Sequence, residues 1–584
     1  MATRLYNHFL HALVLGSAMI TLGGASATGH CPPFGPVFPA STSPSKSPDV
    51  QNAIVSIVED FDNMTSEFEF SAVSIGVRSI HENLPLILKQ YTPPVLSPGA
   101  TTKVDPDTVF RIGSSTKLFT MLAILKLPGI SLDDPILKYL PELSSMARSV
   151  GAPGFLAPAW DDITLGSLAS HLSGIGVDFA TDLTNYPINW TALGLPTVNA
   201  SFSPNCAGLF GIPPCNSSDF YRGFGNHDVV FAPFTSPVYS NIGYAILALV
   251  VESVSNTTFE TFVQEEILDP LGMNTTALSS IPGAEGEAFA LADDPFWGSD
   301  IGFEDPTGAY YSTTNDLLRF ATAILDNTLL SPVQTRKWLK PRTSTSSPGT
   351  QLGDVWEIYR SADLTSDKRL IEVYTKSGDL GNYHSMLALV PDYDVVITIL
   401  VAGNETSSFT GAALLSDIVT RLLPALETAG RSESGTNLAG TYRDEAANST
   451  LTLSLDEGPG FSVAEWTVRG VDFLSHFAAF ADPLSPPAAD AQPVPARLYP
   501  TDARSDTQQA WRAVFETTNA EERAQQDAAV FWEGGSCVTW AGLDRLVYQY
   551  KALDEVMFTL EGGSATGLVL PAFEVELKRT NCSA

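Results

Sequence analysis

The sequence predicts an α/β or α+β domain followed by a small, mainly β domain, and three observations carry that reading. From about Gln51 to Ala429 strand-like and helix-like runs alternate, the pattern of a sheet covered by helices. At "GRSESGTN" (Gly430–Asn437) the composition changes. Beyond it, "STLTLSL" and "AFEVELKR" alternate apolar and polar residues at period two, with turn signals between the runs. A chain of 584 residues is also too long for one core to hold comfortably.

Taken in order, residues 1–27 read as a secretory signal. Arg4 precedes a mostly apolar run from Phe9 to Leu22, and "ASA" (Ala25–Ala27) offers a small-residue cleavage site. The run is short for a membrane span and is broken by Gly and His. Residues 28–50 hold a Pro/Ser-rich linker, "CPPFGPVFPASTSPSKSP". "SAVSIGVRSI" reads as an early strand, and "STKLFTMLAILKL" as a helix with apolar Leu118, Met121, Leu122 and Leu125. A long insertion rich in Gly, Pro and Asn separates His171 from Tyr239, and its length suits a lid or a glycosylated decoration. "NIGYAILALVVESVS" and "TTFETFVQEEILDPLG" are further helices, the second stopped by Pro270 and Gly272. "SMLALVPDYDVVITILVAG" reads as a hairpin of two buried strands turning at Pro391-Asp392. The domains so drawn are 51–429 and 430–584.

Net charge is −33 and the pI near 4.4, which disfavours nucleic acid and anionic membrane surfaces as partners. N-x-[ST] sequons at Asn63, Asn189, Asn199, Asn216, Asn256, Asn274, Asn404, Asn448 and Asn581 fit a secreted glycoprotein. In an oxidising compartment Cys206–Cys215 would close a short loop and Cys537–Cys582 would staple the C-terminal region, leaving Cys31 unpaired. There is no CxxC and no HExxH, and two of the eight histidines, His8 and His11, fall in the signal, so a zinc enzyme is disfavoured. No metal or organic cofactor is implied.

Chemistry enters at Ser114-x-x-Lys117. The motif alone is unspecific: "SPSK" (Ser43–Lys46) fits it inside the linker, and a serine at a helix start is most often a cap. At helical spacing the pair shares one face, with Ser114 at the N-terminus, where unsatisfied N–H groups favour a developing anion. A lysine serves as base only where burial or a second cation lowers its pKa. Two later stretches supply partners: Tyr239-Ser240-Asn241, and Lys376-Ser377-Gly378 before what reads as a strand. No GxSxG is present, which removes the main support for an α/β-hydrolase.

The order Ser-x-x-Lys, Tyr-x-Asn, Lys-[ST]-Gly resembles the serine β-lactamase and penicillin-binding-protein superfamily, and within it the class C-like branch of β-lactamase-related serine hydrolases. "SLDDPILKYLPEL", "ITLGSLASHLSGI", "LDPLGMNTTALS" and "PTGAYYSTTNDLLRFATAIL" look like its blocks, and the resemblance spans roughly Gln51 to Ala429. The tail resembles, less specifically, the C-terminal domain of fungal secreted β-lactamase-like proteins. The resemblance implies a β-lactamase/transpeptidase-like domain, with an antiparallel sheet flanked by helices. It implies Ser114 as nucleophile, Lys117 and Tyr239 as the proton-transfer pair, Asn241 orienting substrate or Lys117, and Lys376 as the added positive field. The backbone N–H groups of Ser114 and Asp379 would form the oxyanion hole, with Ser377 and Gly378 in the substrate pocket. His171 and His384 stay outside that set.

One departure matters. Asp379 follows "KSG" where β-lactamases usually carry a small residue near the group that binds the antibiotic's carboxylate, and it should repel an anionic substrate if its side chain points into the pocket. With no "SDN" and no deacylating glutamate assigned, the reading moves toward an ester, thioester or amide as the small-molecule substrate. A true β-lactamase or D-Ala peptidase, a transacylase or cyclase of secondary metabolism, and an idle binding protein remain the alternatives.

Overall fold

The computed structural model describes residues 29–580, apart from 147–152, 180–181, 198–205, 209–211, 279–286, 292–293 and 485–491. The expected signal, Cys582, Asn199 and Asn581 lie outside the described residues. The described residues form two compact units: 39–366 with 370–433, and 29–38 with 367–369 and 434–580.

The larger unit is built on an eight-stranded antiparallel sheet. Its spatial order is Ile87–Tyr91, Ala72–Ser79, Val395–Ala402, Tyr383–Val390, Ile371–Leu380, Glu357–Ser361, Thr350–Leu352 and Thr343–Ser344. The early strand and the late hairpin are therefore neighbours at its centre. Helices cover both faces, which is why the strand Val395–Ala402 is buried along its whole length and reads as an unbroken apolar run. Val395, Ile397, Ile399 and Val401 meet the helices Pro48–Thr65 and Ser408–Leu438 on one face. Val396, Leu400 and Ala402 belong to the core on the other, with the helices Lys117–Lys126, Asn241–Ser255 and Thr314–Leu325. The helix Ser408–Leu438 is long and apolar enough to cross a membrane by length and composition, but its Leu414, Leu415, Ile418, Leu422, Leu423 and Leu426 are buried against the sheet.

Two helices differ from the expectation. Lys117–Lys126 is not amphipathic: Lys117 through Ile124 are all buried, as befits a helix enclosed on every side. Pro270 does not stop the helix near it. A π turn at Gln264–Leu268 lets the chain continue through Pro270 to Leu271, and Gly272 at φ 64° ends it.

In the smaller unit nine strands form one antiparallel sheet, and the strand Ser449–Ser454 also pairs with Phe461–Val468, which closes eight of them into a barrel. Tyr442, Leu451, Trp466, Trp511, Phe558 and Leu577 fill it. The Pro-rich segment near the N-terminus contributes to that core: Val37 and Phe38 are buried there, with the Phe38 ring 5.4 Å from Phe461. This placement corrects the disulfide pattern. Cys206–Cys215 forms as expected, but Cys537 pairs with Cys31 rather than Cys582, because packing of Val37 and Phe38 into the barrel brings the Cys31 Cα within 5.3 Å of that of Cys537.

Candidate active site

Ser114 lies in a 3-10 turn, Gly113–Thr116, that runs directly into the helix Lys117–Lys126. In 3-10 geometry residues i and i+3 eclipse. Lys117 Nζ accordingly reaches back to donate to Ser114 Oγ at 3.0 Å. It also donates to Asn241 Oδ1 at 2.6 Å and to the Thr307 carbonyl at 2.8 Å, so the fully buried ammonium finds three acceptors.

Tyr239 and Asn241 flank a helix cap. Ser240 Oγ accepts from the Gly243 N–H and donates to the Gly176 carbonyl, fixing the start of the helix Asn241–Ser255. The Ser240 N–H donates to His171 Nδ1 at 3.1 Å. Asn241 then turns its oxygen to Lys117 while its Nδ2 donates to Asp178 Oδ1 at 2.5 Å. Tyr239, on the other side of the cap, keeps 37% of its surface open, and its ring lies 5.0 Å from Lys117 Nζ and 5.4 Å from Lys376 Nζ.

Lys376 arrives from the strand Ile371–Leu380, which crosses the nucleophile turn at backbone contact. A Cβ on Gly378 would lie 2.0 Å from the Ile112 carbonyl oxygen and 2.7 Å from the Ser115 nitrogen, and one on Gly113 (φ 50°) would lie 2.6 Å from the Asp379 nitrogen. Only glycine permits that approach. Beyond Thr375 the strand pairs on one side only. The Ser377 N–H uses the unpaired side to reach Glu357 Oε2, and strand alternation puts the Asp379 N–H on the same side, beside Gly113.

The electrostatics follow from burial and two cations. Burial lowers the Lys117 pKa, and Lys376 lowers it further, against an opposing pull from Tyr239. Burial by itself would raise the Tyr239 phenol; the ammonium groups of Lys117 and Lys376 outweigh it, helped by hydrogen bonds with Ser114 and Lys117, and the pKa falls below the ordinary 10.0. Lys376 is held cationic despite its burial, because Glu357 faces it at 2.7 Å. Burial and the same two lysines keep His171 neutral, consistent with Nδ1 accepting the Ser240 N–H.

The eight positions that the sequence singled out, Ser114, Lys117, Tyr239, Asn241, Lys376, Ser377, Gly378 and Asp379, thus come together around the nucleophile turn. Asp379 is not a lone carboxylate: it pairs with His384 Nδ1 at 2.6 Å across the hairpin. A cleft of about 570 Å³ adjoins them through Tyr239, and its other lining residues are His171, Pro237, Leu352, Glu357 and the hydroxyls of Thr235, Ser236 and Thr343–Ser346. Sequence reasoning missed Glu357, Asp178 and the Ser115–Ser385 hydroxyl pair (2.7 Å), which ties the nucleophile turn to the sheet. No local pattern marks them, since each acts through strand register or a loop contact. Among the described residues no group of three or more His, Cys, Asp or Glu is placed to hold a metal ion.

Residues 89–420 match the Beta-lactamase family, and residues 430–581 match the family described as "Beta-lactamase-like-like, C-terminal domain". A "Beta-lactamase-like protein" of Arthroderma benhamiae is 27% identical over 96% of this chain and 97% of its own length. "Probable hydrolase M10" of a Phoma species is 27% identical over 78% of this chain and 76% of its own. Among solved structures, a beta-lactamase/D-alanine carboxypeptidase from Yersinia pestis complexed with citrate aligns with a TM-score of 0.48 at 18% identity, covering 64% of this chain and 98% of that one.

Proposed function

The chain belongs to the beta-lactamase family, and from that premise we propose that it is a secreted serine hydrolase that forms an acyl-enzyme on an ester, thioester or amide. The observation that carries the reading is Lys117 Nζ at 3.0 Å from Ser114 Oγ, beside a phenol whose pKa two lysines depress. In the proposed cycle Ser114 Oγ gives its proton to the Tyr239–Lys117 pair and attacks the carbonyl carbon. The resulting oxyanion sits between the N–H groups of Ser114 and Asp379. The same pair returns the proton to the leaving group as its bond to carbon breaks. Water, deprotonated in turn, releases the acid and restores the Ser114 hydroxyl. Both fungal relatives are named as beta-lactamase-like or hydrolase, which supports a hydrolytic activity.

Secretion is supported by the two disulfides and by the sequons: Asn63, Asn189, Asn216, Asn256, Asn274, Asn404 and Asn448 are all exposed. The test is acid-quenched intact mass of deglycosylated protein after brief exposure to p-nitrophenyl butyrate. Wild type gains one butyryl group and Ser114→Ala does not. An adduct that persists in the variant would mean another nucleophile.

A further inference from the structure

We propose that Glu357 makes the cleft selective against anions, so that the acyl substrate is neutral or cationic where it faces this wall. The proposal rests on the hydrolase reading above and names the substrate class for that site. Lys376 Nζ, the Ser377 N–H and the Ser377 hydroxyl present one cation and two further donors close together, a set suited to a carboxylate. Glu357 already takes all three. Its Oε1 accepts from Lys376 Nζ at 2.7 Å, and its Oε2 accepts from Ser377 Oγ at 2.9 Å and from the Ser377 N–H at 3.1 Å. The chain's own carboxylate thus occupies the position in which a substrate carboxylate would gain those bonds.

The register explains how it gets there. Glu357 lies opposite Thr375 in the antiparallel pair, one residue from Lys376, at the point where pairing stops and the strand edge opens to the site. Its side chain stays 20% exposed and lines the cleft, so its charge meets the occupant. Lys376 balances that charge from behind the wall, and no lysine or arginine is among the lining residues themselves. The remaining polar wall consists of the neutral His171 ring and the hydroxyls of Thr235, Ser236 and Thr343–Ser346, which serve uncharged amides and alcohols. On the neighbouring strand, Asp379 adds a second carboxylate, half-exposed and paired with His384. An incoming anion would therefore find its donors taken and carboxylate oxygens in their place, and a repulsive element of that kind is how a site rejects a competitor.

The experiment compares three p-nitrophenyl esters of matched six-carbon chains: hexanoate, hemiadipate and 6-(trimethylammonio)hexanoate. kcat/KM is read from nitrophenol release in wild type and Glu357→Gln, with the Ser114→Ala background subtracted. Wild type is expected to use the hemiadipate at least about tenfold less efficiently than the hexanoate, and the glutamine variant to narrow that ratio while losing any preference for the cationic ester. Ratios within one variant cancel a general loss of activity, which a merely structural role of Glu357 would produce. Equal use of all three by wild type overturns the proposal whether or not the glutamine variant folds, and so does a ratio unchanged by Glu357→Gln. No turnover of any ester above the Ser114→Ala background overturns the hydrolase reading, and the proposal with it.

Discussion

Asn241 Oδ1 stands 2.6 Å from Lys117 Nζ, and that contact joins the starts of two helices around one proton-carrying group. The amide is oriented from behind by Asp178, which takes its Nδ2 hydrogen and leaves only the oxygen for the lysine. Asn241→Ala should lower kcat/KM for p-nitrophenyl butyrate by about a hundredfold, the scale of a misplaced general base. Asp178→Ala, which leaves the amide free to turn, should lower it by about tenfold. Steady-state kinetics on both variants, with circular dichroism to confirm folding, check the ordering.

The two lysines also set the pH at which the base becomes available. Lys117 and Lys376 stabilise the Tyr239 phenolate and hold its pKa below 10.0. Lys376 in addition helps burial hold Lys117 down. Removing Lys376 raises both pKa values, so at any given pH less of either base is deprotonated. The ascending limb of kcat/KM against pH should therefore move to higher pH in Lys376→Met. A limb that stays put, or moves to lower pH, would contradict the assigned source of the shift. Tyr239→Phe should lose the limb that belongs to the phenol.

Backbone contact at Gly378 leaves no room for a methyl group. A Cβ there would fall 2.0 Å from the Ile112 carbonyl oxygen, and neither chain can yield without moving the turn that carries Ser114. Gly378→Ala should cut kcat/KM by about a hundredfold, because a displacement of about 1 Å at the reacting atoms has that effect. A variant of normal activity and unchanged melting temperature would mean that the strand and the turn are less tightly apposed.

Cys31–Cys537 closes a loop of 506 residues in sequence separation. Loss of so long a cross-link should destabilise the barrel by about 2–5 kcal/mol. Cys31→Ser should lower the thermal midpoint, and a non-reducing peptide map of wild type should recover the Cys31 and Cys537 peptides joined, with Cys582 in neither disulfide.

What the sequence revealed depended on how far apart the interacting residues lie. Ser114 with Lys117, Tyr239 with Asn241, and Lys376 with Gly378 each sit within three residues of one another, and each short block is delivered whole by one turn, cap or strand. The central hairpin was legible for the same reason: two apolar runs meet at a local turn. Glu357 was not, because its role arises only from antiparallel register with Thr375. Asp178 lies in the irregular insertion, where no periodicity marks a position. Cys31 was left unpaired because spacing favours near partners, whereas its bond follows from the burial of Val37 and Phe38 in a distant core.

The barrel is a ring that borrows its last piece from a segment far upstream in the chain. A ribosome releases Phe38 long before Phe461, the ring it packs against, has been made. The early segment must wait, unsatisfied, while the whole of the intervening unit is synthesised. For protein engineers the C-terminal module is therefore not portable as a simple cut: a fragment begun at Ser434 would carry every strand of the barrel yet lack Val37, Phe38 and the cysteine that clamps them. Transplanting it intact would require a circularly rearranged gene in which residues 31–38 are stitched on beside it.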